Sequence, residues 1–223
     1  MNKVIFSTCF VLICCLVNAQ DTGGRIFLKD ANGIDLRSAA ASIDNANYLF
    51  HPDYLKARLF TKEGKLLSDV KYKLLLQDSR LFYLGSDGSD MEVISPIIRV
   101  EFDMPNGTVT VFEKGFQPVG NLNENNFYQV LTEGKAKLLL DTKFVTETKQ
   151  VYGTGAVTTT DKILNYYGVI DGKILNLSNA DQLLTLMADK KEEINAYLKK
   201  EKVKFKKQAD LEKLFNYYNQ LAK

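Results

Sequence analysis

From Arg25 to Leu177 apolar side chains recur at every second position in short runs separated by turn residues, and at Ser178 that spacing gives way to one of three and four. A period of two lines one face of a strand, and a period near 3.6 lines one stripe of a helix. The chain therefore reads as α+β, an antiparallel β-meander body, open sheet or partial barrel, followed by a two-helix C-terminal segment packed on it. After the turn Lys62-Glu63-Gly64-Lys65, the side chains of Val70, Tyr72, Leu74 and Leu76 share one face. Arg80–Leu84 and Met91–Ile94 flank a turn at Ser86-Asp87-Gly88, and Ser95-Pro96 interrupts the ladder because proline has no N–H to donate. Ile98, Val100 and Phe102 lead into Asn106-Gly107, a dipeptide suited to a tight hairpin, and Val109 and Val111 follow it. Two further hairpins are expected, at Glu133-Gly134 between Phe127–Leu131 and Ala136–Val145, and at Asp171-Gly172 between Ile163–Ile170 and Lys173–Leu177. Asp30–His51 is ambiguous, its Ser38-Ala39-Ala40-Ala41 fitting a short helix or a loop.

The helical segment spans 178–223. Ser178 and Asp181 form a candidate capping box ahead of Leu183, Leu184 and Met187, and Ile194, Tyr197 and Leu198 continue that stripe. Leu211, Leu214, Phe215, Tyr218 and Leu221 form a second stripe. Between the two lies Lys199–Lys207, read as a short non-helical connection anchored by Val203 and Phe205, with a continuous helix as the alternative since no Gly or Pro marks a break. Helices of this length are marginal alone and are expected to dock on the β body.

Residues 1–19 have the form of an export signal: Lys3, an apolar run from Val4 to Val17, and the small residues Asn18-Ala19 before Gln20. The run is shorter than the roughly 20 residues that cross a bilayer. No small residue precedes Cys9, Cys14 or Cys15 in the manner of a lipid-anchor site. Those are all three cysteines, so the mature chain, with its β-rich domain over 20–177, is expected to be cysteine-free. Thiolate nucleophiles, disulfide frameworks and cysteine-ligated zinc are then excluded. Without Lys3 the 29 Lys and Arg stand against 27 Asp and Glu with a net charge near +1, which argues against a nucleic-acid footprint. The expected location is the periplasm, the outer-membrane periphery or the medium.

Several segments resemble a family of uncharacterised exported proteins of Gram-negative bacteria. They are Ser95-Pro96-Ile97-Ile98-Arg99-Val100-Glu101-Phe102, Gly115-Phe116, Asn126-Phe127-Tyr128-Gln129-Val130-Leu131, Gly134-Lys135-Ala136-Lys137-Leu138-Leu139, and a close of Asp210-Leu211 with Tyr217-Tyr218-Asn219-Gln220-Leu221. The resemblance runs from about Tyr54 onward. It implies an exported single unit and brings no activity, ligand or catalytic residue.

Few constellations carry chemistry. His51 is the single histidine, so a multi-histidine metal site is excluded, and His51-Pro52-Asp53 reads as a surface turn. Asp87, Asp90 and Glu92 surround Gly88, yet their spacing fits no calcium loop and reads as a solvated hairpin tip. Gly153-Thr154-Gly155 lacks the Lys-Ser/Thr ending of a phosphate-binding loop and reads as loop or edge strand. Tyr166-Tyr167 and Tyr217-Tyr218 could stack on sugar, although alternation sends one of the strand pair into the core. Six lysines, Lys199, Lys200, Lys202, Lys204, Lys206 and Lys207, with Glu201 give a local charge of +5 that could touch anionic lipid or acidic polysaccharide, or serve as a solvated face. No catalytic set, cofactor site or metal site is identified. The expectation is a non-catalytic binding or interaction module acting on an envelope protein or glycan, without a nucleic-acid partner and without spanning the membrane. The alternatives are a carrier of a small apolar ligand in a curved sheet and a two-carboxylate hydrolase.

Overall fold

In a computed structural model, the described residues are 27–29, 35–38, 48–85, 87–151, 153 and 155–222. The expected export signal lies outside them, as does nearly all of the ambiguous stretch before Tyr48. The strands are β1 (Phe27–Lys29), β2 (Asp35–Ser38), β3 (Leu55–Thr61), β4 (Leu66–Leu75), β5 (Arg80–Leu84) and β6 (Asp90–Val93). They continue with β7 (Ile97–Asp103), β8 (Val109–Glu113), β9 (Tyr128–Thr132), β10 (Ala136–Val151), β11 (Gly155–Ile170) and β12 (Lys173–Asn176). All twelve join one antiparallel open sheet in the order β1-β2-β6-β5-β4-β3-β7-β8-β9-β10-β11-β12.

That order forces the sheet to roll. Four strand spacings separate β6 from β7, roughly 19 Å across a flat sheet. Val93 and Ile97 are joined through only Ile94-Ser95-Pro96, and four Cα steps reach about 14 Å at most. The sheet must therefore curl so that the end of β6 approaches the start of β7. The inside of the curl is apolar: Leu59, Tyr72, Leu74, Val100, Phe102 and Phe112 are buried there, with Leu36 and Met91 from the far side. Phe50 packs edge-on against Phe112 at 4.8 Å between ring centres and tilted against Phe102 at 5.5 Å. Outside the curl, alternation along the strands places Arg99 between Glu101 at 2.8 Å and Glu133 at 2.7 Å, with Arg58–Glu101 and Lys137–Glu113 pairs beside them.

The hairpins follow their turn chemistry. Asp171 and Gly172 both take positive φ, 50° and 77°, and join β11 to β12 as a two-residue turn of type I′. At Asn106-Gly107 only the glycine is left-handed, at φ 81°, and the loop is a three-residue one in which Met104 and Thr108 pair.

The helical segment differs from expectation in three respects, one being that residues 199–201, expected in the non-helical connection, continue a helix. It holds three helices, α1 (Ala180–Leu186), α2 (Lys191–Glu201) and α3 (Gln208–Leu221), because a 3-10 turn at Ala188–Lys190 divides the first stripe. The break is held from outside: Tyr218 on α3 donates to Asp189 at 2.9 Å, and Lys135 pairs with the same carboxylate at 3.3 Å. The N-cap is Asn179, whose side chain accepts from the Gln182 N–H, while Gln182 Oε1 reaches back to the Ser178 N–H at 2.9 Å. The cap is thus Asn179 in place of Ser178, and the side chain that reaches back is Gln182 in place of Asp181, bonding the residue before the cap. Val203 and Phe205 do anchor the connection, packing partly buried against the helical core.

The helices lie on the paired bases of β10 and β11. Leu183, Ile194, Leu211, Leu214, Phe215 and Tyr218 are fully enclosed against Ala136, Leu138, Leu140, Tyr166 and Ile170. Each such leucine or phenylalanine contributes roughly 1.5–3 kcal/mol on burial. Gly168 marks the closest approach, since a Cβ there would stand 2.3 Å from Leu186 and 2.9 Å from Phe215. On the opposite face, Leu139, Tyr167 and Val169 are covered by Phe116, Val119 and Leu122 of the 114–127 segment. Tyr166 and Tyr167 are consequently both buried, one on each face, where alternation alone had sent one outward.

Asn219 of α3 ties the helices to the β9–β10 turn. Its Nδ2 donates to Glu133 O at 3.1 Å and Ala136 O at 2.9 Å, and its Oδ1 accepts from Ala136 N at 2.8 Å. The amide occupies the space over Gly134, where φ is +140° and a Cβ would lie 2.6 Å from Asn219 Nδ2. Gly134→Ala is expected to lower stability by about 2–4 kcal/mol in urea unfolding, through backbone strain and the displaced hydrogen bonds. The same substitution made in an Asn219→Ala background should cost less, because the clash is gone.

Candidate binding cleft at the root of a projecting ribbon

β10 and β11 pair with each other along their whole length, from Ala136↔Ile170 to Val151↔Gly155. β9 accompanies β10 only as far as Leu140, and β12 accompanies β11 only as far as Tyr167. Beyond those points the two strands project as a ribbon, and every described residue of β11 from Gly155 to Leu164 except Thr160 is exposed. The region read as loop or edge strand around Gly153 is the tip of this ribbon. Thr146–Thr160 and Thr148–Thr158 hydroxyl pairs, 3.1 and 2.9 Å, bridge its strands. Tyr48 braces one side, with its hydroxyl 3.0 Å from Thr146 and its ring edge-on to Phe144 at 5.0 Å.

Among the described residues no strand pairs with either edge of the ribbon. In an antiparallel ladder alternate residues turn their N–H and C=O to one neighbour. Leu177 N–H bonds Tyr166 O on the β12 side, so even-numbered residues of β11 face outward there. By the unshifted β10–β11 register, even-numbered residues of β10, including Thr142 and Phe144, turn their N–H and C=O away from β11.

A cleft of about 380 Å³ opens where the β10 edge loses its neighbour. Its walls are Leu76 and Gln77 after β4, Asn121, Leu122 and Asn126 of the 114–127 segment, and the root of the ribbon. Four consecutive β10 residues, Asp141, Thr142, Lys143 and Phe144, line it. A cleft on one face of a strand would touch alternate residues, so this one runs along the strand's open edge. On β11 only Asn165 and Tyr167 contribute, both from the same face.

Asp141 is the one carboxyl among the described residues that line the cleft. It accepts from Asn165 Nδ2 at 3.2 Å, and burial raises its pKa above the ordinary aspartate value, with Asn165 and the Lys143 charge acting the other way. Among the described residues the side chains of Gln77 and Asn121 make no hydrogen bond, which leaves amide donors and acceptors free at the mouth. Tyr167 forms the apolar back wall, and Tyr128 packs edge-on behind it at 5.4 Å with its hydroxyl buried and without a partner among the described residues.

The residues singled out from sequence lie elsewhere. His51 Nδ1 accepts from the Asp53 N–H at 3.1 Å within its own turn. The three carboxylates near Gly88 go to separate partners: Asp87 to Ser89, Asp90 to the Tyr54 hydroxyl and Glu92 to Arg80. Among the described residues no three His, Cys, Asp or Glu side chains gather to hold a metal ion. Lys199 and Lys200 end α2, Lys202 is its left-handed C-cap, and Lys204, Lys206 and Lys207 follow in the exposed connection. Lys207 pairs with Asp210 at 3.2 Å and Lys200 with Glu201 at 3.7 Å, and none of the six lines the cleft. No described helix is long and apolar enough to cross a membrane. No protein-family model, curated protein or solved structure matches this chain.

The direction of the Asp141 shift has a consequence for stability. A carboxyl raised in the folded state penalises folding while it is charged, and that penalty fades as pH falls through the raised value towards the ordinary aspartate range. Asp141→Asn is expected to raise Tm at pH 7, and the gain should shrink on acidification, as read by thermal denaturation at a series of pH values.

Proposed function

We propose that this chain is an exported, non-catalytic interaction module that takes up an extended polypeptide segment of an envelope partner on the open edge of β10. The observation that carries the reading is the cleft lined by Asp141, Thr142, Lys143 and Phe144, in which unpaired strand backbone meets side-chain amides. Strand addition supplies affinity from main-chain hydrogen bonds and specificity from side chains beside the edge. The cleft has room for a few residues, and its two formal charges, Asp141 and Lys143, cancel, which suits a neutral stretch of polypeptide. The β11 edge is less suited, because residues 155–159 and 161–164 are exposed and the cleft at the ribbon's root takes only Asn165 and Tyr167 from β11. The export signature of residues 1–19 and the resemblance to exported proteins support the location.

The other readings have less behind them. A hydrolase of the two-carboxylate kind needs a second acid opposite Asp141, and the cleft has one. A carrier needs a hollow inside the curl, where Leu59, Val100, Phe102 and Phe112 are packed.

Proline distinguishes the two edges. Thr142→Pro removes an outward N–H without touching the β10–β11 ladder, and Lys162→Pro does the same on the other edge. Decapeptides selected from a random library on the purified protein should protect the Thr142 and Phe144 amides from hydrogen exchange. Their affinity should fall at least about tenfold in Thr142→Pro and stay unchanged in Lys162→Pro. Equal binding by Thr142→Pro would remove the proposal.

A further inference from the structure

A separate cavity of about 280 Å³ lies where the turn after β4, the β6–β7 link and the start of the 114–127 segment meet. Lys114 lines it. Its backbone N–H is fixed to Ile98 O at 2.9 Å, and its ammonium stands 4.8 Å from the centre of the Phe127 ring. That ring is its one partner among the described residues, since Nζ makes no ion pair or hydrogen bond there. Burial alone pulls the lysine below its usual pKa. A partly desolvated cation with no counter-ion among the described residues is unfavourable, and an opposite charge brought by a ligand relieves it.

The neighbours do not supply that charge. Arg80 and Glu92 also line the cavity, and they satisfy each other through Nε–Oε1 at 3.1 Å and a second bond at 2.8 Å. Among the described lining residues the remaining formal charge is that of Lys114. Ser79 lines the same cavity and provides a donor. Its Oγ accepts the Phe127 N–H at 2.9 Å, and its own hydroxyl hydrogen has no acceptor among the described residues. Ser79 is one of only three non-glycine residues with positive φ among those described, at 52°. Such strain in a non-glycine residue persists where the surroundings impose it, and it is concentrated at ligand sites.

We propose that this cavity binds a small organic oxyanion, a carboxylate or a phosphate monoester, with its oxygens on the Lys114 ammonium and the Ser79 hydroxyl. The volume exceeds that of a bare inorganic ion, and the lining is mainly polar, with Ser95 and Asn125 beside Ser79, which suits a small hydroxylated or polar body on the ligand. The site is independent of strand addition at β10, and each can fail without the other.

The test is a two-dimensional ¹H–¹⁵N NMR titration of the purified protein at constant ionic strength with lactate, succinate, glycerol 3-phosphate and inorganic phosphate. At least one organic probe should saturate, with a Kd of about 1 mM or tighter and shifts confined to Ser79, Lys114, Asn125 and Phe127. The carboxylate and phosphate arms identify which head group is preferred. Lys114→Met and Lys114→Gln should each weaken binding at least about tenfold, while Lys114→Arg retains part of it. Lys114→Met should also melt no lower than the wild type, because the unpaired charge is removed. Saturation by inorganic phosphate alone, absence of saturation by any probe at about 20 mM, or unchanged affinity in Lys114→Met and Lys114→Gln would overturn the proposal.

Discussion

The three residues between β6 and β7 are the constraint on which the rest depends. A link that short cannot bridge four strand spacings, so the sheet rolls and its inner face closes over Phe102, Phe112 and Val100. In that order β3 pairs with both β4 and β7, so that one central strand joins the two meanders. The lysine cavity lies against this same link and is a product of the roll.

The second half of the sheet is stabilised differently. There the bases of β10 and β11 are covered on both faces, by helices on one and by the 114–127 segment on the other. Burial ends where those covers end, and the same two strands continue into solvent as a ribbon. The cleft at that boundary is where β10 has left β9 behind and where no other described strand replaces it. Firmly packed bases give the open edge a rigid mount, the condition under which strand addition is specific.

Much of the β body was legible because hairpins are local. Asp171-Gly172 requires left-handed backbone at both positions, and that demand is written in two adjacent residues. The ribbon was harder to read because both faces are solvated, so Thr146, Thr148, Thr158 and Thr160 carry no apolar alternation to mark a strand. The helix break at Ala188–Lys190 has no Gly or Pro to signal it, and its hold comes from Tyr218 and Lys135, far away along the chain.

The candidate site was not legible at all. Gln77, Asn121, Asp141 and Asn165 are ordinary polar residues in four separate stretches, and nothing nearby in the chain distinguishes them. Lys114 likewise looks like any surface lysine until Phe127 and the β6–β7 link close round it. The sequence by itself determined the strand and helix periods, the turn positions and the α+β order, since these depend on residues within a few positions of one another. Only the tertiary structure decided which strand edge stays open, which lysine loses its water and where α3 is tied to the sheet. Those outcomes depend on contacts between distant segments and on where burial stops.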